Sequence, residues 1–488
     1  MAIGGMTTLS YPVRSLVILK YLGQLGLMLA LLTILPLGVS IFFGEYAISG
    51  RFLIVILALL LLSIPLSRLS VPTALQTNEA LTITALAFFF SPIFMTYPFM
   101  ATGLSFQDAW FEAISGVTTT GLSILSSVEN QSPSLLFARA WIQWYGGLGI
   151  AILSVALLMR QGIASKKLVE PVPGENLVTT TRTHARRVLT AYMLLTMIGI
   201  IVLLVLQVEP FHAITMTLTA ISTGGFSPFH DSLAGLDSIP ATSVLLLLCL
   251  CGAISLPLYT YTYHHGFRRL ISDVEVPILL LLCCLAAIVV GLSLGQHTNL
   301  GWTGALAHGA ALGLSAQTGA GFSTISIAEI DQTSKALLMA SMFIGGSVGS
   351  TTGGIKIFRF LLILVLIRLT LQRACAPPHA VIEPWLGKHR LDYEDLIRAL
   401  LLTFLFIGVI VISWILFLAG GYHPLDALFE VTSATGTVGL STGITNTDLP
   451  WWLKGVLGFD MLAGRLEIIA LLMVLYPPTW RERRTRTQ

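Results

Sequence analysis

Apolar runs of about 20 residues recur along the whole chain, and each is long enough to cross the hydrocarbon core of a bilayer as a helix. Only 10% of the 488 residues are charged, whereas soluble domains carry roughly 25%. These features predict a membrane protein with many spans and no separate soluble domain. We place ten spans, near residues 17–43, 51–69, 79–98, 134–160, 186–207, 241–264, 275–296, 336–371, 396–419 and 451–477.

Basic residues indicate which ends of the spans face the cytosol. Ten spans put both termini on one side of the membrane, and 22 of the 27 Lys and Arg residues fall in the segments on that side. Because cytoplasmic loops carry the excess of Lys and Arg, we predict that both termini are cytosolic. We interpret the N-terminal segment as a cytosolic tail rather than a cleaved signal peptide.

Two classes of partner are disfavoured by composition. The formal net charge of +3 is too small to indicate nucleic acid as a partner. The five cysteines lie in or beside apolar segments and show no metal-ligand spacing, so we expect them to be buried apolar residues.

A short stretch rich in threonine and glycine occurs four times. It reads "VTTTGLS" at 117–123, "ISTGGFS" at 221–227, "TGAGFS" at 318–323 and "GTVGLS" at 436–441. Each copy follows a segment too short to span a membrane, and each lies on the side opposite the termini. Aligned on Gly121, Gly225, Gly321 and Gly439, the copies are 104, 96 and 118 residues apart. Since each unit crosses the membrane twice, the four repeats share one orientation, which suits a ring around one axis.

The predicted fold class is an all-α integral membrane protein, with four tandem span–pore-helix–filter-loop–span repeats in a pseudo-fourfold ring and two extra N-terminal transmembrane helices. The predicted divisions are a two-helix extension (1–70), repeat 1 (71–165), repeat 2 (166–272), repeat 3 (273–375), and repeat 4 with a basic cytosolic tail (376–488). We name residues 118–121, 222–225, 318–321 and 436–439 the first to fourth glycine loops, and residues 345–356 the inner loop.

Four glycine loops around one axis predict a cation selectivity filter. Irregular backbone within a membrane is tolerated only where it is buried in protein or lines water. Glycine lets successive carbonyls point to one side, and a cage of such oxygens can replace the hydration shell of an ion. The simpler alternative is that small residues only allow close helix packing. Four copies in register, each after a short helix on the same face, favour the filter.

The glycine loops, with "WIQWYGGLGIAIL" (141–153), "GGSVGSTTGGIK" (345–356) and "GRLEIIALL" (464–472), resemble the Trk/Ktr/HKT superfamily of potassium transporters. The two extra N-terminal spans make the chain most similar to the membrane subunits of bacterial Trk potassium-uptake systems. This resemblance covers nearly the whole chain. It implies potassium as the transported ion, a homodimer with one pore per subunit, and a bacterial inner-membrane location. It also implies a separate cytosolic regulatory ring that binds ATP/ADP or NAD and gates the pore, while this chain itself binds no nucleotide.

The resemblance implies that backbone carbonyls hold potassium at three positions in each glycine loop. These are Thr119, Thr120 and Gly121; Thr223, Gly224 and Gly225; Gly319, Ala320 and Gly321; and Thr437, Val438 and Gly439. The preceding positions, Thr118, Ser222, Thr318 and Gly436, are weaker candidates. In plant relatives a serine in place of the first-loop glycine goes with sodium transport, so the intact Gly121 favours potassium.

The inner loop interrupts the apolar run at 336–371. Its glycines, each of which weakens a helix by about 1 kcal/mol relative to alanine, are Gly345, Gly346, Gly349, Gly353 and Gly354. One interpretation is a kink that packs against neighbouring helices. The resemblance instead implies a gate below the filter that blocks the pore until the regulatory partner moves it. Lys356 ends this loop, and one alternative for it is an anchor that extends towards the membrane surface.

Arg465 lies about halfway along the last span, where an unpaired cation is costly. One interpretation is an ion pair with Asp460 or Glu467, and the resemblance implies a pore-facing barrier just below the filter. Glu112 and Glu430 occupy equivalent places in the first and fourth short helices. We interpret these two as hydrogen-bonded supports behind the filter in preference to ion ligands.

Asp108 and Asp426 fall near the starts of their short helices, where a carboxylate caps backbone amides. His212 and His308 fall at the equivalent position in the second and third repeats and are predicted to have the same role.

Three other functions are weighed against a potassium pore. A sodium-conducting pore and a symport carrier coupled to another cation belong to the same superfamily. Alternating-access carriers usually have inverted repeats, whereas the repeats here share one orientation. An enzyme is not expected, because the sequence has no H-E-x-x-H or G-x-S-x-G motif. The short basic cytosolic segments are predicted to contact membrane lipid and to dock the regulatory ring.

Overall fold

α-Helices form nearly all of the regular structure. The structure, a computed structural model, describes residues 12–480 apart from gaps at 73–74, 126, 162–176, 267, 299, 378, 381 and 387–388. The helices in chain order are α1 (Ser15–Phe42), α2 (Tyr46–Ser67), α3 (Thr77–Phe99), α4 (Phe106–Val117), α5 (Pro133–Gln161), α6 (Leu177–Val205), α7 (Pro210–Ile221), α8 (Ile239–Ala253), α9 (Leu256–His265), α10 (Arg268–Ile271), α11 (Glu275–His297), α12 (Gly301–Thr318), α13 (Gln332–Phe343), α14 (Ile357–Ala374), α15 (Tyr393–Ala419), α16 (Pro424–Gly436), α17 (Trp451–Arg465) and α18 (Ile469–Leu475). A small antiparallel hairpin, β1 (Trp385–Leu386) with β2 (His389–Arg390), lies between α14 and α15.

Six of the described helices, α1, α2, α3, α6, α11 and α15, are each long and apolar enough to cross a membrane. The pair α8 and α9 makes a seventh crossing if the two helices, bent by 90°, are one broken span. The predicted span at 134–160 is the single helix α5. The predicted span at 336–371 is divided into α13 and α14 by the inner loop, as the sequence indicates. The molecule is therefore an all-helical, multi-pass membrane protein.

The order of a span, a short helix, a glycine loop and a second span occurs four times. The four units are α3–α4–α5, α6–α7–α8/α9, α11–α12–α13/α14 and α15–α16–α17/α18. The short helices contain 12, 12, 18 and 13 residues. The predicted boundary between repeats 1 and 2, at 165–166, and the chain ends at 1–11 and 481–488 lie outside the described residues, so the predicted divisions stay predictions.

The N-terminal pair α1 and α2 packs as an antiparallel hairpin outside the repeats. Gly23 and Gly26 of α1 lie against Ser67 and Ser63 of α2, so that a Cβ atom at either glycine would meet the facing helix. This hairpin is attached to the first repeat, since Nε1 of Trp141 in α5 donates to the Leu32 carbonyl at 2.8 Å.

The two ends of the described chain lie on the same side of the molecule. The backbone N–H of Val13 donates to the carbonyl of Thr479 at 2.9 Å. This agrees with the ten-span prediction, which places both termini together.

A break between α8 and α9 was not evident from the sequence pattern. Pro257 lies in the first turn of α9 and has no N–H with which to continue the hydrogen-bond ladder of α8. The carbonyls left free at the end of α8 accept from the inner loop: Ser347 N–H donates to Ala253 at 2.9 Å and Thr351 N–H donates to Gly252 at 3.1 Å. The break therefore makes room for the inner loop and is stabilised by it.

The last span is broken as well, between α17 and α18. Glu467 and Ile468 adopt positive φ angles of 56° and 60°, a conformation that is rare for a β-branched residue such as isoleucine. The carboxylate of Glu467 forms an ion pair with Arg359 at the start of α14. The last span thus changes direction where it meets the helix that follows the inner loop.

Candidate functional site

The four glycine loops share one backbone conformation. In each loop the aligned glycine and the residue two positions before it have left-handed φ angles, a pattern of alternating conformation that turns successive carbonyls the same way. The angles are 54° and 89° (Thr119, Gly121), 50° and 79° (Thr223, Gly225), 66° and 70° (Gly319, Gly321), and 50° and 95° (Thr437, Gly439). Three of the four loops hold a threonine in this strained region. The strain costs of order 1–3 kcal/mol per residue, and such strain is concentrated at functional sites.

Each loop is attached to its short helix by the same hydrogen bond. The amide of the residue before the aligned glycine donates to a carbonyl in the last turn of the helix. The bonds are Thr120 to Ser115 at 2.9 Å, Gly224 to Thr219 at 2.8 Å, Ala320 to Ser315 at 2.9 Å and Val438 to Ser433 at 2.9 Å. The four short helices therefore end at the loops, with the negative ends of their dipoles beside them.

The loops contact each other in a closed ring. A Cβ atom at Gly121 would meet the carbonyl oxygen of Gly224 in the next loop. The same relation joins Gly225 to Ala320, Gly321 to Val438, and Gly439 back to Thr120. Because a side chain at any of these positions would collide with the neighbouring carbonyl, all four require glycine for space as well as for φ. The order first, second, third, fourth and first again is the ring that the repeats predict.

An open cavity of about 590 Å³ lies above the ring, lined by all four aligned glycines. Hydroxyls of Ser123, Ser227, Ser323 and Ser441 and the carboxylates of Asp231 and Glu329 line its wall. The four loops thus open into one polar vestibule, the arrangement expected at the mouth of a pore.

The residues that precede the predicted ligands bond to their own helices. Thr118 Oγ1 donates to the Ile114 carbonyl at 2.8 Å, Ser222 Oγ to Leu218 at 2.9 Å, and Thr318 Oγ1 to Leu314 at 2.8 Å. By contrast, the buried hydroxyls of Thr119 and Thr437 have no hydrogen-bond partner within the described part of the chain. The available hydroxyls at the inner end of the ring are therefore those of Thr119 and Thr437, since Thr223 Oγ1 donates to the Ser222 carbonyl at 2.7 Å.

Glu112 and Glu430 support the first and fourth loops from behind, as predicted. Glu112 accepts from Ser123 Oγ at 3.0 Å and from the Ile124 amide at 3.3 Å. It also forms an ion pair with the guanidinium of Arg139, 2.7 Å away. Glu430 is fully buried and accepts from Ser441 Oγ at 2.7 Å, from the Thr442 amide at 3.1 Å and from the Thr445 amide at 3.2 Å. Both carboxylates hold the chain that leaves the loop.

Gln143 supports the second loop, a role that the sequence did not reveal. Its Oε1 accepts from the Phe226 amide at 3.1 Å and its Nε2 donates to the Gly224 carbonyl. A Cβ atom at Gly224 would collide with this side-chain amide. The other loops carry Thr120, Ala320 or Val438 at this place, so Gln143 of α5 fills the volume that a side chain of the loop occupies elsewhere.

Two ion pairs join the fourth repeat to the first and to the third. Lys454 of α17 pairs with Asp108 of α4 at 2.5 Å, and Lys335 of α13 pairs with Asp426 of α16 at 2.9 Å. Asp108 lies in the first turn of α4, as predicted, but its predicted role as a cap of backbone amides is wrong, because the N-cap is Ser105, whose Oγ accepts from the Asp108 amide at 3.3 Å.

The histidines predicted as caps are not caps either. His308 lies in the interior of α12, whose first turn starts seven residues earlier at Gly301, and it contacts Thr324 Oγ1 at 2.9 Å. His212 lies inside α7 and pairs with Glu209, the residue at the N-cap position, at 3.2 Å. The alignment on glycines does not account for the different starting points of the short helices.

The inner loop lies directly beneath the ring. A Cβ atom at Gly353 would meet Thr437 Oγ1 and the Gly436 carbonyl, and Thr351 Oγ1 lies 3.3 Å from Thr223 Oγ1. The loop is closed on itself, since the Gly345 amide donates to the Ile355 carbonyl at 2.8 Å. This loop therefore contacts the second and fourth glycine loops from the side nearest the chain ends.

The glycines predicted for the inner loop lie where a side chain has no space or where the φ angle is positive. Gly345 and Gly346 lie against the carbonyls of Gly353 and Ala253, where a Cβ atom has no space. Gly349 and Gly354 have positive φ angles of 79° and 68°. The Gly349 carbonyl accepts from the Leu256 amide of α9 at 3.1 Å, so the loop is tied to the break in the second repeat.

Lys356 is buried, and the alternative of an anchor reaching the membrane surface is wrong. Its Nζ donates to the Thr352 carbonyl at 2.5 Å and to Thr352 Oγ1 at 3.1 Å. The ammonium group thus folds back on the loop that it ends, because those oxygens offer hydrogen bonds that the apolar surroundings do not.

Arg465 points at the inner loop. Its Nη1 donates to the Thr351 carbonyl at 2.6 Å and its Nη2 to the Gly146 carbonyl of α5 at 3.4 Å, while Nε is buried without a partner among the described residues. The interpretation of Arg465 as an ion pair is wrong: Asp460 accepts from Ser413 Oγ at 2.7 Å, and Glu467 pairs with Arg359. Within the described residues this buried guanidinium bonds to carbonyls and to no carboxylate, so it places a positive charge beneath the ring.

The inner loop is also attached to the connection between repeats 2 and 3. Glu275, the first residue of α11, accepts from the Val348 amide at 2.9 Å. The preceding Asp273 accepts from the amides of Glu275 at 2.9 Å and Val276 at 3.3 Å. Burial raises the pKa of the Asp273 carboxyl, and these two amides oppose the rise. Movement of this connection would therefore act on the loop through Glu275.

The chain is similar to known cation transport proteins along most of its length. A family model described as TrkH, cation transport protein, matches residues 52–477. An uncharacterized cation transporter of Methanocaldococcus jannaschii is 28% identical over 462 residues, covering 94% of each chain. The Trk system potassium uptake protein TrkH of Vibrio parahaemolyticus is 30% identical over 403 residues, covering 78% of this chain and 80% of the relative. The crystal structure of the potassium transporter TrkH from Vibrio parahaemolyticus superposes with a TM-score of 0.86 at 25% identity, covering 96% of this chain and 100% of that chain.

Proposed function

Because the chain belongs to the TrkH family of cation transport proteins, we propose that it takes up potassium across the bacterial inner membrane through the ring of glycine loops. The observation that carries this proposal is the closed contact order of the four loops, in which each aligned glycine lies against a carbonyl of the next loop. Backbone carbonyls arranged around one axis supply the oxygen ligands that replace the water of an alkali cation.

The proposed ligands are the carbonyls of the three residues that end each glycine loop, from Thr119–Gly121 to Thr437–Gly439. The ring is not symmetric, because the Gly224 carbonyl also accepts a hydrogen bond from Gln143. A carbonyl shared with an amide donor is a weaker ligand than its three counterparts. The second loop is therefore proposed to bind the ion less tightly than the others.

Below the ring, the proposed route passes Arg465 and the inner loop. Arg465 repels a cation that has passed the ring, and the inner loop fills the space under the second and fourth glycine loops. The inner loop is proposed as a gate and Arg465 as a barrier. Uptake through the open gate is driven by the membrane potential, worth about 2.3 kcal/mol per charge for each 100 mV.

The gate is proposed to be moved by a separate cytosolic ring that binds ATP/ADP or NAD, acting on a homodimer of this chain. The hydrogen bond from Val348 to Glu275 supports this, because it links the gate to a connection on the side where both chain ends lie. The excess of basic residues on that side supports a cytosolic location for both termini.

Rubidium-tracer uptake into proteoliposomes that contain this chain tests the proposal. Uptake is measured in competition with potassium or sodium for the wild type and for Gly439→Ser, which places a Cβ atom against the Thr120 carbonyl. The matched control is Gly443→Ser, since Gly443 also has a positive φ (92°) but has nothing within 4 Å of the added Cβ.

Potassium is expected to compete far better than sodium in the wild type and in the control, and this preference is expected to be lost in Gly439→Ser. Equal competition by both ions in the wild type would contradict the proposal, and stronger competition by sodium than by potassium would favour the alternative, a sodium-conducting pore. A strict dependence of uptake on a second ion gradient would favour a symport carrier of the same family.

A further inference from the structure

A narrow apolar groove of about 400 Å³ opens on the membrane-facing side of α1, α2, α3 and α5. Its walls are aliphatic and aromatic, with Leu22, Leu25 and Leu29 on α1, Leu62 on α2, and Phe90 and Phe94 on α3. Leu25 and Leu62 are 43% and 53% exposed, so the groove is open to whatever surrounds the protein. Within a membrane this surrounding is lipid.

The groove occupies one half of the membrane. It follows α1 from Leu19 to Leu32, the last turns of α2 from Leu59 to Leu66, and the middle of α3. Thirteen residues of helix rise about 20 Å, which matches one leaflet of the roughly 30 Å hydrocarbon core together with its interface. This half is the one nearest the chain ends, since Val13 and Thr479 are joined there.

Two basic residues flank the end of the groove that lies nearest the chain ends. Lys20 directly follows Leu19, and Arg68 comes two residues after Leu66. Both leucines line the groove. Lys20 is half-buried and Arg68 is exposed. Basic side chains at this level attract anionic headgroups.

The inner end of the groove reaches the back of the first glycine loop. Val117, the last residue of α4, lines it together with Gly146 and Gly149 of α5. Gly146 lies against the Val117 carbonyl, and its own carbonyl accepts from Arg465. An occupant of the groove would therefore contact residues that position both the first loop and Arg465.

We propose that this groove binds one acyl chain of an anionic phospholipid, whose phosphate group lies between Lys20 and Arg68. An acyl chain matches the groove in chemistry, because the lining is almost entirely carbon, and in length. The basic pair at its mouth selects an anionic headgroup over a zwitterionic one. This inference requires only that the chain spans a membrane and is independent of which ion is transported.

Native mass spectrometry of the full-length purified protein, titrated with phosphatidylglycerol or phosphatidylcholine, tests the proposal. Gly149→Leu fills the inner end, since an added Cβ there has space: in the part of the chain that the structure describes, it would approach one ring carbon of Phe88, 4.0 Å away, and no other atom within 4 Å. Gly38→Leu is the matched control, because Gly38 is on α1 outside the groove with nothing within 4 Å. Ala87→Phe fills the groove from α3 and serves if Gly149→Leu does not fold. A third variant, Lys20→Ala with Arg68→Ala, removes the basic pair.

We expect one tightly retained phosphatidylglycerol per chain in the wild type and in Gly38→Leu. Retention should fall about tenfold in the groove-filling variants, because losing the burial of a few methylene groups is worth that much affinity. The double alanine variant should bind phosphatidylglycerol and phosphatidylcholine equally. Equal retention in wild type and groove-filling variants would overturn the proposal, as would a cross-link between Leu25→Cys residues showing that a second copy of the chain covers the groove. Unchanged headgroup preference in the double variant would overturn the role of the basic pair.

Discussion

Arg465 Nη1 donates to the carbonyl oxygen of Thr351 at 2.6 Å, and this bond joins the last membrane span to the inner loop beneath the ring. This hydrogen bond connects the positive charge below the glycine loops directly to the loop proposed as a gate. The same side chain reaches Gly146 on the other side of the proposed pathway. Arg465 therefore has two effects that mutations can separate, one of charge and one of restraint on the loop.

Replacing Arg465 by Gln should raise rubidium uptake about tenfold, because it removes the charge and the charged hydrogen bond that restrains the inner loop. Such a hydrogen bond contributes about 1.5–3 kcal/mol. Lowering the barrier to uptake by about 1.4 kcal/mol corresponds to a tenfold higher rate. Arg465→Lys keeps the charge, and its uptake should lie between that of the wild type and that of Arg465→Gln. Initial tracer uptake into proteoliposomes measures this. Arg368→Gln, which removes an exposed charge from α14, should leave uptake unchanged. Unaltered uptake in Arg465→Gln would show that Arg465 is not a barrier.

Removing the carboxylate of Glu275 should loosen the inner loop. Glu275→Ala leaves the Val348 amide without its acceptor, and an unpaired buried donor costs about 1–3 kcal/mol. Hydrogen exchange at residues 345–356 should therefore accelerate, and uptake without a regulatory partner should rise. Glu275→Gln retains an acceptor oxygen and should behave nearly as the wild type. If exchange in both variants matches the wild type, Glu275 does not restrain the loop.

Substitutions at Gln143 and Gly224 should preserve the preference for potassium better together than either does alone. Gly224→Ala alone places a Cβ atom in the side-chain amide of Gln143, and it should reduce the preference for potassium. Gln143→Ala alone leaves the Phe226 amide unpaired and should do the same. The double variant makes room for the Cβ atom, as at Ala320 in the third loop, so part of the preference should return. Competition of rubidium uptake by potassium and sodium measures the preference, and losses that simply add in the double variant would contradict the packing argument.

Breaking the pair of Arg139 and Glu112 should destabilise the protein strongly. Both side chains are almost fully buried, and removing one partner of a buried pair costs about 3–5 kcal/mol. Arg139→Gln should therefore lower the unfolding temperature more than the double variant Arg139→Gln with Glu112→Gln, in which no charge is left unpaired. Arg398→Gln, which removes an exposed pair with Glu394 on α15, is the comparison and should change the unfolding temperature little. An additive double-mutant cycle would mean that the two residues do not act as a unit.

The sequence predicts the spans, the four repeats and the ring because each rests on a local signal. Apolar runs of about 20 residues identify spans, and the recurrence of an aligned glycine identifies equivalent loops. Of the three residues that the resemblance assigns to the ring in each loop, the first and the third, such as Thr119 and Gly121, have left-handed φ angles. The inner loop was recognised for a similar reason, since five glycines within one apolar run disfavour a helix.

The sequence does not predict how distant segments meet. The break after Ala253 depends on Pro257 and on amides of the inner loop almost a hundred residues away, and nothing in the local pattern shows that those amides arrive. The roles of Gln143 and Lys356, and the partners of Arg465, likewise depend on three-dimensional packing. The ion pair of Asp108 is not evident from the local pattern for the same reason, because its partner, Lys454, comes from another repeat.

The ring of glycine loops is proposed to select potassium over sodium. The most direct measurement is the reversal potential across a planar bilayer containing the purified chain, with potassium on one side and sodium on the other. We predict a reversal potential close to that of a potassium-selective pore in the wild type and in Gly443→Ser, and a shift towards zero in Gly439→Ser. A reversal potential near zero in the wild type, or one unchanged in Gly439→Ser, would contradict the account.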